Sequence, residues 1–310
     1  MRVMPQHPEY ETLLKQMAEV GGPDLSDMPV DQGREMYRMM QPENPALAVG
    51  SVHDRKIPGP ASDIPIRIYT PNGDGPFPIV LMFHGGGWVI GDLVTADAQS
   101  REVCRGTEAI VISVDYRLAP EHKFPAAADD CFAALKWAHA NGEDFGGDSN
   151  RLAVAGDSAG GNLSAVVAQM AKESGPDLRF QLLVYPATDG SRFDTESYIS
   201  NAEGYMLTLD SMRWFWDLYA DAGQRLDPRA SPLLASDLSG LPPALVMTAE
   251  YDPLRDEGEA YGARLAEAGV AVASIRFDGF IHGFFAQTQT VSATRPAMQK
   301  ACDALKSALN

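Results

Sequence analysis

A serine framed by two glycines, in the stretch from Gly156 to Gly160, most constrains what this chain can fold into. The stretch follows a short apolar run, residues 152–155, and precedes apolar residues at the i, i+3, i+4, i+7 spacing of a helix. A strand-to-helix turn this tight leaves no room for side chains beside its central residue, which is why glycines flank it. The pattern predicts that Ser158 lies exposed at the carboxyl edge of a sheet, although a glycine-rich turn without a chemical role has the same pattern.

The acidic composition argues against several kinds of partner. The 310 residues include 25 basic and 42 acidic side chains, a net charge of −17 at pH 7 with histidine neutral. Nucleic acids and anionic membrane surfaces require basic surfaces, so we expect neither as a partner. No apolar stretch approaches the ~20 residues of a membrane span, so we also expect no membrane insertion.

The cysteines and the first ten residues indicate a reducing compartment. Cys104, Cys131 and Cys302 are few, odd in number and widely spaced, which does not suggest a disulfide framework. The first ten residues contain two prolines and no apolar stretch, so we expect no signal peptide. The sequence therefore predicts a cytoplasmic protein.

Apolar runs and helical patterns alternate along most of the chain. Residues 64–69 alternate with period two, which predicts an antiparallel strand, and the later runs are short and apolar throughout, as in a parallel sheet. We therefore expect one α/β domain over residues 1–310, with a mostly parallel central sheet and helices on both faces. The predicted buried strands are 79–83, 110–114, 152–155, 182–185, 245–247 and 270–277, and the predicted helices are 126–140, 158–172, 254–268 and about 295–309.

Two segments interrupt this alternation. Residues 1 to about 45 carry two apolar helical stripes, and residues 189 to about 223 lack an expected strand and include a helix that is apolar nearly all round. Such a helix must be covered on more than one side, so we expect the two segments to meet over the sheet edge. They are either a lid or simple packing elements. Their bulky side chains, and one beside the glycine loop described below, are candidate pocket walls as well as candidate core residues: Trp88, Tyr205, Met206, Trp214 and Phe215.

A serine nucleophile needs a histidine base and an orienting carboxylate. In the class of hydrolases that carry the serine on a strand-to-helix turn of this kind, these groups follow in the order serine, carboxylate, histidine. The chain has six histidines, and only His282 comes after Ser158. Asp252 follows the strand pattern that ends near residue 248 and precedes a proline suited to the first turn of a helix. Glu250 and Asp256 are the rival carboxylates.

A run of three glycines, Gly85 to Gly87, follows the apolar run 79–83. Consecutive glycines raise the entropy cost of folding, so they suit a place where the backbone approaches a ligand closely. Together with Ala159 they can present N–H groups to a developing negative charge, as an oxyanion hole requires. We expect His84 to support this loop rather than to act as a base.

Five motifs carry a resemblance to a known family. They are His84–Trp88, Asp115–Glu121, Gly156–Gly161, Asp252–Gly258 and His282–Phe284. In these motifs and their order the chain resembles the hormone-sensitive-lipase-like esterases of the α/β-hydrolase superfamily, bacterial branch. We further expect that Asp115 and Arg117 pair and brace the loop after their strand.

The resemblance implies the site and its chemistry. It implies a triad of Ser158, Asp252 and His282, and an oxyanion hole made by the N–H groups of Gly86, Gly87 and Ala159. It also implies a cap built from residues 1 to about 45 and about 189–223, a preference for short to medium acyl chains, and a homodimer in some members. No metal or organic cofactor is expected.

Three functions remain open on the sequence alone. The first is a serine carboxylesterase that acts on a small ester, and the second is an amidase or deacetylase with the same triad. The third is a ligand receptor on a hydrolase scaffold, which the presence of His282 disfavours.

Overall fold

The computed structural model describes residues 6–310, and within them eight strands form one sheet. The strands are β1 (Ser51–Ile57), β2 (Ile64–Thr70), β3 (Phe77–Phe83), β4 (Ile110–Val114), β5 (Gly147–Asp157), β6 (Phe180–Val184), β7 (Ala244–Tyr251) and β8 (Val272–Ile281). Their order in the sheet is β1-β2-β4-β3-β5-β6-β7-β8. Strand β2 pairs antiparallel with β1 and β4, whereas all neighbours from β4 to β8 are parallel.

Helices cover both faces of this sheet. The helices are α1 (Pro8–Val20), α2 (Val30–Met40), α3 (Asp97–Thr107), α4 (Ala126–Asn141), α5 (Ala159–Ser174), α6 (Glu196–Ser200), α7 (Leu209–Tyr219), α8 (Arg255–Glu267) and α9 (Arg295–Leu309). On strand β3, Leu81 packs with α4 and α5 on one face, and Met82 packs with α3 and α9 on the other. Burial on both faces explains the uninterrupted apolar runs of the parallel strands. The predicted α/β architecture is confirmed.

The N-terminal segment contacts the insertion between β6 and β7. The Asp24 carboxylate, between α1 and α2, accepts hydrogen bonds from the hydroxyls of Thr208 and Ser211 at 3.0 and 2.7 Å. The insertion carries α6 and α7, and the described structure has no strand between residues 189 and 223. Within residues 6–310, no helix combines the length and apolar character needed to cross a membrane.

Some boundaries differ from the sequence prediction. Strand β5 begins at Gly147, five residues before the apolar run, and β8 continues through Ile281 rather than ending near residue 277. Helix α5 begins at Ala159, so Ser158 precedes the helix instead of starting it. Helix α3 was not predicted, because it is mostly polar and its buried apolar side chains are few.

Candidate active site

Ser158 occupies the sharp turn between β5 and α5. Its φ of 56° and ψ of −118° lie in a region that non-glycine residues rarely adopt, so the backbone is strained there. The flanking glycines are sterically required. A Cβ on Gly156 would lie 2.3 Å from the carbonyl oxygen of Gly160, and one on Gly160 would lie 1.9 Å from that of Phe83. Any side chain at either position would push the turn away from the end of β3.

Ser158, His282 and Asp252 form a hydrogen-bonded series. His282 Nε2 lies 3.1 Å from Ser158 Oγ, and its Nδ1 lies 2.7 Å from Asp252 Oδ2. Asp252 is fully buried, and its other oxygen, Oδ1, accepts the N–H of Leu254 at 2.9 Å. The three side chains follow β5, β8 and β7, three strands whose carboxyl ends meet at one edge of the sheet. This arrangement suits a neutral imidazole that carries its proton on Nδ1 and accepts one at Nε2.

The two rival carboxylates bind elsewhere. Glu250 Oε2 accepts the N–H of Gly279 at 2.7 Å. Asp256 Oδ2 accepts the N–H of Ser197 at 2.8 Å, in the first turn of α6. Within residues 6–310, Asp252 alone among the three carboxylates hydrogen-bonds the imidazole.

The glycine loop after β3 presents backbone donors beside Ser158. Gly86, at φ of 116°, anchors a turn in which its carbonyl accepts the N–H groups of Val89 and Ile90 at 3.1 and 3.0 Å. Ala159 is the first residue of α5, where N–H groups lack acceptors within the helix. In the part of the chain that the structure describes, the N–H groups of Gly86, Gly87 and Ala159 donate to no protein acceptor. Such N–H groups are suited to an oxyanion.

His84 packs against the backbone of this loop. Its ring stacks on Tyr116 with ring centres 4.3 Å apart, and its Nδ1 lies 2.7 Å from the carbonyl oxygen of Gly85. The Tyr116 hydroxyl donates to the His84 carbonyl at 2.7 Å. Burial lowers the pKa of His84, which keeps the ring neutral. The histidine packs against the loop, as expected.

A buried carboxyl group, missed in the sequence analysis, connects three parts of the site. Asp157 Oδ1 accepts the N–H of Gly85 at 3.0 Å, and the Tyr185 hydroxyl lies 3.5 Å from Asp157 Oδ2. The same hydroxyl accepts the N–H of Phe285 at 3.2 Å, and the Tyr185 ring lies 4.5 Å from that of His282. Asp157 thus joins the serine turn to the glycine loop and, through Tyr185, to the histidine segment. The only signal in the sequence was its place before Ser158.

Burial raises the pKa of Asp157 to about 6, above the value of 3.8 that is usual for aspartate. The folded protein therefore binds this proton more tightly than the unfolded chain does. As pH rises through the interval between these two values, the unfolded chain releases this proton while the folded state keeps it, so this residue's contribution to stability falls.

We expect Asp157→Asn to remove this pH dependence, because asparagine keeps an oxygen for the Gly85 N–H but does not titrate. The variant's free energy of unfolding, relative to the unsubstituted protein, should rise by about 1 kcal/mol from pH 5 to pH 8, mostly below pH 7. Urea unfolding at a series of pH values measures this difference, in which the other titrating groups cancel. A difference that stays constant with pH contradicts the prediction.

Two of the predicted pocket walls, Phe215 and Met206, lie beside this candidate site. A Cβ on Gly87 would lie 2.2 Å from the Phe215 ring, so this ring contacts the glycine loop directly. Met206 lies beside the residue that follows His282, because its sulfur would be 3.6 Å from a Cβ on Gly283. The insertion thus brings two apolar side chains to the two sides of the site.

The other three candidate wall residues pack against neighbouring aromatic side chains. Trp88 is fully buried, with its ring stacked on Tyr219 at 4.3 Å between centres. Trp214 packs against Phe215, and Tyr205 packs against Tyr251, with ring centres 5.1 and 4.8 Å apart. For Trp88 these contacts are those of a core residue, the alternative left open by the sequence.

The expected pairing of Asp115 with Arg117 is wrong. Arg117 forms its ion pair with Asp130 in α4, with Nη2 and Oδ1 2.8 Å apart. The Asp115 N–H bonds to the carbonyl of Pro65 on β2, and its side chain lines a surface cleft. The first turns of α4 pass over the loop and bring a closer carboxylate to the arginine.

Comparison with known proteins places the chain in a family. A family model described as the alpha/beta hydrolase fold matches residues 80–286. The carboxylic ester hydrolase LipN of Mycobacterium tuberculosis is 46% identical over 268 residues, which cover 84% of this chain and 71% of that protein. An arylesterase of Saccharolobus solfataricus is 39% identical over 292 residues, which cover 93% of this chain and 94% of that one.

A crystal structure of a thermostable esterase from Pseudomonas putida has the same fold over its whole length. It superposes with a TM-score of 0.94 at 41% identity, covering 99% of this chain and 98% of that one. This chain therefore belongs to the hormone-sensitive-lipase-like esterases of the α/β-hydrolase superfamily.

Proposed function

We propose that this carboxylic ester hydrolase is a serine carboxylesterase that uses Ser158 as nucleophile, His282 as base and Asp252 as the orienting acid. The observation that carries the proposal is the hydrogen-bonded series from Asp252 Oδ2 through the imidazole to Ser158 Oγ, with distances of 2.7 and 3.1 Å. The ester-hydrolysing relatives, at 46% and 39% identity, support the bond type.

The reaction follows from this geometry in two halves. Ser158 Oγ attacks the ester carbonyl carbon while its proton moves to His282 Nε2, and the carbonyl oxygen becomes an oxyanion. The N–H groups of Gly86, Gly87 and Ala159 stabilise that charge, and the amino end of α5 adds a favourable dipole. His282 then gives its proton to the leaving alcohol, and Ser158 retains the acyl group. Water repeats the sequence, which releases the acid and restores the serine.

The substrate class is a small ester with a short to medium acyl chain. Phe215 and Met206 support this choice, because both are bulky side chains placed against the glycine loop and the histidine segment. We assign these walls to a cap made of residues 1 to about 45 and about 189–223, whose two parts contact each other at Asp24. A cytoplasmic location and a homodimer stay predictions from the sequence.

The test combines covalent labelling with a substrate panel. A fluorophosphonate should label the protein once, at Ser158 as located by mass spectrometry, and an unlabelled serine would favour the receptor alternative. Matched p-nitrophenyl esters and p-nitroanilides of acetate to palmitate should give turnover of the esters that falls beyond medium chain lengths. Faster cleavage of the anilides would instead favour the amidase alternative.

A further inference from the structure

One arginine of the N-terminal segment hydrogen-bonds two loops beside the glycine turn. Arg34 lies in α2, and its Nε donates to the carbonyl oxygen of Val89 at 2.9 Å. Its Nη2 donates to the carbonyl oxygen of Ala119 at 3.0 Å. Both terminal nitrogens also bind the two oxygens of Glu121 at 2.8 Å. A single side chain thus joins α2 to two loops that lie 55 and 85 residues farther along the chain.

Both carbonyl groups belong to residues whose N–H groups hydrogen-bond the glycine turn, which carries the proposed oxyanion donors. Val89 closes the turn that begins at Gly86, since its own N–H donates to the Gly86 carbonyl at 3.1 Å. Ala119 supports the middle of the same turn, since its N–H donates to the carbonyl of Trp88 at 2.9 Å. Arg34 therefore holds the outer side of the turn whose inner side presents the N–H groups of Gly86 and Gly87.

Only arginine suits this position. The guanidinium group is planar, stays protonated and offers five N–H donors in a fixed fork, whereas a lysine ammonium cannot reach two carbonyls and a carboxylate together. The pair is charged at any working pH, because the Arg34 hydrogen bonds lower the pKa of Glu121 to about 2. Val89 and Ala119 are fully buried, so neither carbonyl is freely solvated.

We propose that Arg34 is a positioning residue for the oxyanion hole. Through Val89 and Ala119 it fixes the turn so that the N–H groups of Gly86 and Gly87 point at the forming oxyanion. The N-terminal segment is then a structural part of the catalytic machinery and not only a cover. This inference rests on the proposed function, since its effect is read through ester hydrolysis.

The expected effect falls on the transition state. Oxyanion donors bind the tetrahedral state much more strongly than the planar ester, so a displaced turn lowers kcat and leaves KM almost unchanged. A displacement of about 1 Å in a catalytic group can cost about 100-fold in rate. We therefore expect Arg34→Met to lower kcat for p-nitrophenyl butyrate about 10- to 100-fold.

The test compares two arginines that are one turn apart on α2. Arg38 pairs with the Asp92 side chain at 2.7 Å and, within the described structure, bonds no carbonyl of the glycine turn. Arg38→Met is the matched control and should keep kcat within twofold. A trifluoromethyl ketone, which adds to the serine as a tetrahedral oxyanion, should lose affinity for Arg34→Met by the same factor as kcat falls. Circular dichroism and melting temperatures show whether each variant folds.

Three results would overturn the proposal. They are equal losses of kcat in Arg34→Met and Arg38→Met, a lowered kcat with full affinity for the ketone, or unchanged kcat. If Arg34→Met does not fold, Arg34→Lys decides, because it keeps a charge for Glu121 but not both carbonyl bonds, and it should also lose kcat about tenfold or more. An unsubstituted protein that neither hydrolyses esters nor reacts with a fluorophosphonate would refute the proposed function instead.

Discussion

Replacement of Ser158 by alanine should lower kcat for p-nitrophenyl butyrate by about 10⁶-fold, the scale measured when a serine-hydrolase nucleophile is removed. In the proposed mechanism the hydroxyl oxygen is the atom that bonds to the substrate, and it lies 3.1 Å from Nε2 of His282, the proposed base. Alanine fits the same strained backbone, and the His282 side chain keeps 11% of its surface exposed, so water can replace the lost hydroxyl as its partner. We therefore expect the melting temperature to stay within a few degrees.

The same helix offers a control serine. Ser164 is fully buried in α5, and its hydroxyl donates to the carbonyl of Gly160 at 2.9 Å. Ser164→Ala should lower stability by about 1 kcal/mol, as for the loss of one buried hydrogen bond, and should keep kcat within a few-fold. Steady-state kinetics and thermal unfolding of both variants separate the roles. Retention of even a few per cent of the activity by Ser158→Ala would refute its role as nucleophile.

Much of the site could be predicted because parallel strands gather distant residues at one edge. Ser158 and His282 lie 124 positions apart, yet each follows the carboxyl end of a strand, and the ends of parallel strands open on the same side of the sheet. The strands themselves were visible because burial on both faces makes their sequences apolar throughout. Chain order and strand pattern together were enough to select His282.

The contacts that support the site could not be predicted in the same way. Asp157 binds a backbone N–H that lies 72 residues earlier in the chain, and Arg34 binds carbonyls on two separate loops. Backbone groups have no sequence signature, so nothing in the residue pattern indicated these partners. The predicted pairing of Arg117 failed because the nearer carboxylate, Asp130, belongs to a helix whose path over the loop is a tertiary feature.

The end of β8 lies beyond the point predicted from the sequence. The strand was predicted to end at residue 277, directly before the pair Asp278–Gly279, whose residue types favour turns. In the structure the register of β7 and β8 shifts between Ala249 and Tyr251, and the Glu250 side chain binds the N–H of Gly279. The strand therefore continues past the glycine, to Ile281. Tertiary pairing overrides the turn signal here, and it brings His282 to the sheet edge.

Replacement of Asp252 by asparagine should lower kcat about 10⁴-fold with little change in fold. The reason lies in the two N–H groups from which the carboxylate accepts hydrogen bonds. Its Oδ1 accepts the Leu254 N–H at 2.9 Å, and its Oδ2 lies 2.7 Å from His282 Nδ1. An amide has one acceptor oxygen, so the backbone N–H takes it and the NH₂ group faces the imidazole. The ring must then accept at Nδ1 and carry its proton on Nε2, where it can no longer remove the proton of Ser158.

Asp256→Asn is the matched control, four residues away. Its carboxylate accepts the Ser197 N–H at 2.8 Å and pairs with Arg255, so its loss should change stability slightly and leave kcat within a few-fold. The tautomer explanation also predicts how the kinetic constants of Asp252→Asn change. Because the serine and the oxyanion donors remain in place, KM should change little while kcat falls. Steady-state kinetics of both variants test this together. Comparable losses in the two variants, or a loss in Asp252→Asn confined to KM, would show that Asp252 does not orient His282.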